Sequence, residues 1–121
     1  MLYYLNNWRN RAHAEIYGGL AIFDLWADGT EDKRARAMSS GDTCLILSRS
    51  GKSGATIGQY VFHRALRGPD DPVTKRGIWV LEGTLSKQES LPKADAEKHP
   101  VYARFFNKKG HVCQWSVLRD T

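Results

Sequence analysis

The apolar runs of this chain are short and close together, and that spacing limits its folds more than any other feature. Met1 to Leu5, Thr43 to Ser48, Ile57 to Leu66, Ile78 to Leu85, Val101 to Phe106 and Val112 to Leu118 each have the length of a strand. Turn chemistry separates several of them. Arg49 to Ala55 is basic and glycine-rich, Gly68-Pro69-Asp70-Asp71-Pro72 is a loop, and Asn107-Lys108-Lys109-Gly110 is a hairpin signal. Nowhere do strand, long helix and strand follow at the spacing a doubly wound parallel sheet requires. The expected class is α+β, mostly β: a small curved antiparallel sheet or open barrel of five or six strands with two or three short peripheral helices.

The helices are expected between the first two runs. Trp8, Ala12 and Ile16 fall four apart, with Arg9, Arg11, His13 and Glu15 on other faces and Gly18-Gly19 as a stop, so a short amphipathic helix is predicted there. Leu20 to Trp26 is too short and too evenly apolar for periodicity to choose between a strand and a helical turn. After the Asp28-Gly29 turn, Thr30 caps a second helix that carries Glu31 and Asp32 first and Arg34 and Arg36 later, and Gly41 closes it. Ser86 to His99 is polar, helix-compatible in pieces and broken around Pro92 and Pro100, so it is expected to wrap the outside. Ile46, Val61, Leu81 and Val117 are expected in the core, and Trp79, Leu81 and Leu85 on one strand face.

The 121 residues suit one domain, residues 1–121, large enough to bury about two-thirds of its unfolded surface. Such a core needs no staple. Cys44 and Cys113 lie in apolar runs without metal-ligand spacing, which points to a reducing compartment. No run approaches the roughly 18 apolar residues of a membrane span, and the charge of MLYYLNNWRNR follows its apolar stretch, the wrong order for a signal peptide. A soluble, cytoplasmic protein is expected. Because Arg119-Asp120-Thr121 follows an apolar strand directly, the chain reads as the first module of a longer protein.

Eighteen Lys and Arg against thirteen Asp and Glu give a net charge of +5, which favours a polyanionic partner. Gly51-Lys52-Ser53-Gly54 is not a nucleotide loop: the position that should hold the first glycine is Leu47, inside a strand, and no helix follows. It is a flexible hairpin or one that contacts DNA backbone, Arg49 and Lys52 reaching phosphates while Ser53 donates. The four histidines form no close pair with one another, and the cysteines give no zinc-ligand set with them, so no metal site or cofactor is expected. Asp70-Asp71 and Glu31-Asp32 sit where carboxylates are common for local reasons, and no serine elbow is present. Catalysis by this domain alone is not expected.

Recognition remains. Asp24 lies among large apolar residues in Phe23-Asp24-Leu25-Trp26. It is either a turn aspartate or an acceptor for the exocyclic amine of a base held between rings. Trp8, Trp79 and Trp115 lie in regular elements, where tryptophan is more often core than ligand. Trp26 and Tyr17 differ, because each sits beside a glycine-containing turn from which a ring can project.

Tyr3-Tyr4-Leu5-Asn6 with Trp8, then Trp26, Arg34, Arg36, Met38 and Gly41-Asp42 before Cys44-Leu45-Ile46-Leu47, resembles the EVE branch of the PUA-like superfamily. Ile57-Gly58-Gln59-Tyr60-Val61 fits the strand that follows in such domains, so the resemblance covers about the first 65 residues. It implies a curved barrel with helices around it and an aromatic cage for a modified base, as in readers fused to nuclease domains in modification-dependent restriction proteins. The resemblance places Trp26, Ser48 and Arg49 near the pocket mouth, with Tyr17 a second wall. The opening reads Tyr3-Tyr4 where the family often has Tyr-Trp, and Leu20 to Trp26 is longer than the resemblance implies.

The expected partner is double-stranded DNA with a modified base, modified cytosine first. Its pocket would be built from Trp26, Asp24, Tyr17, Ser48 and Trp79, and its backbone contacts from Arg49, Lys52, Ser53, Arg34 and Arg36. A fused or associated nuclease domain would supply cleavage. Two alternatives stand beside this reading. One is an RNA-binding module. The other is a small basic ribonuclease, which needs His63, Arg64, Tyr60 and Arg104 to converge.

Overall fold

The computed structural model describes residues 1–8, 13–17, 20–26, 29–70, 72–75, 77–115 and 117–120, with 13–17 and 20–26 described through their backbone pairing. Among the described residues, seven strands form one sheet: β1 (Leu2–Asn7), β2 (His13–Tyr17), β3 (Leu20–Trp26), β4 (Thr43–Ser50), β5 (Gly54–Arg67), β6 (Ile78–Pro92) and β7 (Val117–Arg119). Their order is β2-β3-β6-β5-β4-β1-β7. Helix α1 (Gly29–Arg36) follows β3, and α2 (Lys93–Lys98) with a 3-10 turn (Tyr102–Phe105) follows β6. No helix among the described residues is long and apolar enough to cross a membrane.

The molecule is mostly β with short peripheral helices, as expected, but three details differ. The sheet is mixed, because β1 runs parallel to β4 while every other neighbouring pair is antiparallel. It is also larger by the strand β2, which lies where the amphipathic helix was predicted and pairs with β3, Ile16 opposite Ala21. Finally, Ser86 to Pro92 continues β6, and the last two expected strands shrink to the 3-10 turn, a single Phe106–Val112 bridge and β7.

Both faces of the sheet centre are covered, which is why Thr43 to Ser48 is evenly apolar rather than alternating. On one face Tyr3, Leu5, Cys44, Tyr60, Phe62, Trp79, Leu81 and Val117 pack with Ala35 and Met38 beneath α1. On the other, Tyr4, Leu45, Leu47, Ala55 and Ile57 pack against Ala96, Tyr102, Phe105 and Val112. Leu81 and Val117 are fully buried, and Ile46 packs partly buried against the first cluster. Val61 is exposed, contrary to its expected place in the core. Its neighbours Tyr60 and Phe62 turn into the first cluster, and the layer that covers Ala55 and Ile57 on Val61's own face stops short of it.

The long β5–β6 hairpin bends. Register shifts at Gln59/Tyr60 and at Phe62/Arg64 break its ladder, and such bulges raise local twist and bend the strand. Its tip half pairs with β3, and its base half is flanked by β4.

Candidate nucleic-acid interface

The β4–β5 turn, residues 51–53, joins two antiparallel strands and is followed by strand rather than helix, so Gly51-Lys52-Ser53-Gly54 is a hairpin. Gly51 takes φ +67, a conformation that favours glycine. Arg49 Nε donates to the Gly51 carbonyl at 3.3 Å, while Lys52 and Ser53 are exposed. This turn is tied to a second basic turn. The Lys93 backbone N–H donates to the Ser53 carbonyl at 2.8 Å, and Lys93 Nζ donates to the Gly110 carbonyl at 3.0 Å. Within residues 107–110, Asn107 Oδ1 accepts from the N–H groups of Lys109 and His111 and holds the turn closed with Lys108 and Lys109 exposed. The start of α2 thus fixes Arg49, Lys52, Lys108 and Lys109 at one end of the molecule. Lys93 itself is engaged by Glu97 at 2.7 Å.

The other expected phosphate contacts lie elsewhere. Arg36 Nε donates to Asp32 Oδ2 at 2.8 Å, and Arg34 donates to the Val117 carbonyl of β7. Both hold α1 in place. Trp79 is 8% exposed and belongs to the first core cluster. Its indole N–H donates to Asp32 Oδ1 at 2.7 Å, and the guanidinium groups of Arg36 and Arg67 lie 5.3 and 5.8 Å from its ring centre. Arg36, with its hydrogen bond, and then the indole hold the Asp32 carboxyl below its ordinary value of 3.8.

Of the five expected pocket residues, Trp79 and Ser48 lie on β6 and β4, with β5 between them, and Asp24, Trp26 and Tyr17 are described by their strand pairing alone. In the register, Asp24 pairs with Val80, Leu25 with Trp79 and Trp26 with Ile78. Tyr17 pairs with Leu20 at the far end of β3 from Trp26. Ser48 lies on β4 between Asn7 and Thr56, and both β6 and β5 separate β4 from β3. The ribonuclease set is also dispersed. Tyr60 is fully buried in the first cluster, His63 is bonded to Thr84 and Arg64 to Glu82, both on β6, and Arg104 lies on the 3-10 turn.

A cleft of about 170 Å³ opens on the second face, between the base of the β5–β6 hairpin and the segment after α2. Leu45 and Ile57 are apolar lining, Gln59, Lys87 and Glu89 stand along the strands, and His99, Val101 and Tyr102 line it from the connection. Tyr102 Oη donates to the buried Gly58 carbonyl at 2.8 Å, which pins the connection to β5. Burial, aided by the charge of Glu89, pushes the Tyr102 hydroxyl up to about 12, so it stays protonated at neutral pH. His99 Nδ1 accepts the Val101 backbone N–H at 3.1 Å, and its ring meets Tyr102 edge-on at 5.0 Å. Among the described residues, the side chains of Gln59, Lys87 and Glu89 form no hydrogen bond or ion pair with one another or with any neighbour.

Sequence reasoning missed this cleft because Ser86 to Pro92 carries no apolar alternation to mark it as strand. His99 and Tyr102 meet Gln59 only through the path of the chain after Pro92. Comparison of the chain with protein-family models, curated proteins and solved structures finds no match in any of the three.

Proposed function

We propose that this chain is a nucleic-acid recognition module of the EVE and PUA-like kind that takes double-stranded DNA at its basic end and reads one rotated-out base, modified cytosine first. The observation that carries the reading is the linkage through Lys93, which sets two exposed basic turns side by side. Phosphates at a spacing of a few ångströms reward several lysines and arginines held at fixed separation, and the attraction is independent of sequence. Net charge of +5 supports the same partner, and the resemblance in the first 65 residues supports a modified base as the feature read. Rotating a base out of the stack costs a few kcal/mol, which pocket contacts must recover. Cleavage belongs to an associated nuclease domain.

Salt titration tests the electrostatic half of this reading. If about three or four phosphates are neutralised, log K falls with log salt at a slope of about −3 to −4. Lys52→Ala and Lys109→Ala each weaken modified and unmodified duplex alike and reduce the slope by about 1. A flat salt dependence sinks the reading.

A further inference from the structure

Four properties of the second-face cleft point to one class of ligand. Its lining of Leu45, Ile57 and Val101 offers apolar contact to a flat body. Its strand wall carries groups of opposite hydrogen-bonding character: Glu89 accepts, Lys87 donates, and Gln59 does both. These groups have no partner among the described residues, although residues that face each other across a sheet commonly pair. In addition, His99 is oriented. Because Nδ1 accepts a backbone N–H, the neutral ring carries its proton on Nε2, leaving a donor whose direction is fixed by the bond on the other nitrogen.

A small planar heterocycle with an exocyclic amine next to ring acceptors answers all four. Cytosine presents N4–H₂ to a carboxylate, and its N3 and O2 to donors. The volume, about 170 Å³, is well below the roughly 300 Å³ at which pockets for larger organic ligands begin, and suits one base rather than a nucleotide chain. Position agrees. α2, whose first residue is bonded to both basic turns, ends at Lys98, and His99 is the next residue, so about 9 Å of helix separates the basic end from the cleft wall.

We infer that the cleft between Gln59, Lys87 and Glu89 on one side and His99 and Tyr102 on the other is the nucleobase site, receiving the base rotated out of a duplex held at the basic end. This rests on the DNA-binding reading above and moves the base away from the Trp26 end of β3. Glu89 accepts from the exocyclic amine, the His99 Nε2–H and Lys87 donate to the ring acceptors, and Tyr102 keeps the wall in place through Gly58.

The test uses a duplex with one 5-methylcytosine opposite an abasic site, where extrusion costs least, beside a fully paired unmodified duplex. Glu89→Ala removes the acceptor, and Val101→Trp fills the mouth from an exposed position, so neither disturbs the core. Both variants are expected to bind the first duplex about tenfold or more weakly while binding the second as the parent does. The Hε1 resonance of His99 is expected to shift when the parent is titrated with the first duplex. Retained affinity in both variants together with an unmoved His99 resonance overturns the inference. A loss confined to Trp26→Ala overturns it too, returns the base to the end of β3 and leaves DNA binding intact. A parent protein that binds neither duplex overturns the inference and the reading beneath it.

Discussion

Asp32 joins α1 to β6 through its two carboxylate oxygens. One accepts the Arg36 Nε–H a turn later on α1, and the other accepts the Trp79 indole N–H from β6. Its carboxyl is held low by Arg36 first and the indole second, so the interaction is fully present above the ordinary carboxylate range and is lost as pH falls through the lowered folded value. The melting temperature of the parent should therefore fall more steeply below about pH 4 than that of Asp32→Asn, which has no charge to lose. Parallel profiles for the two proteins would remove Asp32 from the acid response. Only half of this arrangement was legible in advance. An acidic residue in a first helical turn is predicted by the helix dipole, and Trp79 by burial. That the two meet depends on how β6 passes under α1, which local sequence does not encode.

At the level of elements, Gly83 explains how the β5–β6 hairpin bends. A Cβ there would lie 2.3 Å from the Val61 carbonyl oxygen and 2.3 Å from Cδ2 of Tyr60, whose ring covers the glycine. Because one of those obstacles is backbone, Gly83→Ala should cost about 1 to 3 kcal/mol, read by chemical denaturation. Ala substitution at exposed Thr84, which loses a solvent-accessible hydrogen bond to His63, should cost less, about 1 kcal/mol or below. An unchanged midpoint for Gly83→Ala would show that the ring shifts freely. The runs Thr43 to Ser48, Ile57 to Leu66 and Ile78 to Leu85 are strands as their local signals predict, whereas Val101 to Phe106 is equally apolar and folds as a 3-10 turn. The misreading of Trp8 to Ile16 has an equally plain cause: residues four apart share a face in a helix and also in a strand, so that spacing alone does not separate the two periods. Only the pairing of His13–Tyr17 with β3 decides it.

At the scale of the whole molecule, the Lys52 turn lies where the glycine-rich stretch after an apolar strand predicts it. The cleft has no such local signal, because its walls come from segments far apart in the chain. The position of β1 carries a consequence in time. It lies between β4 and β7, Tyr3 opposite both Cys44 and Arg119, so one of its edges is covered only by the last strand of the sheet. The β4-β5-β6 meander closes over much shorter separations and is expected to form first. Val117→Ala should then speed unfolding and leave folding almost unchanged, whereas Leu47→Ala should slow folding. Equal slowing by both substitutions in stopped-flow refolding would put β7 in the nucleus instead. Until residues 117–119 arrive, a half-folded chain presents β1 as an open, apolar strand edge, and through that edge two such chains can join.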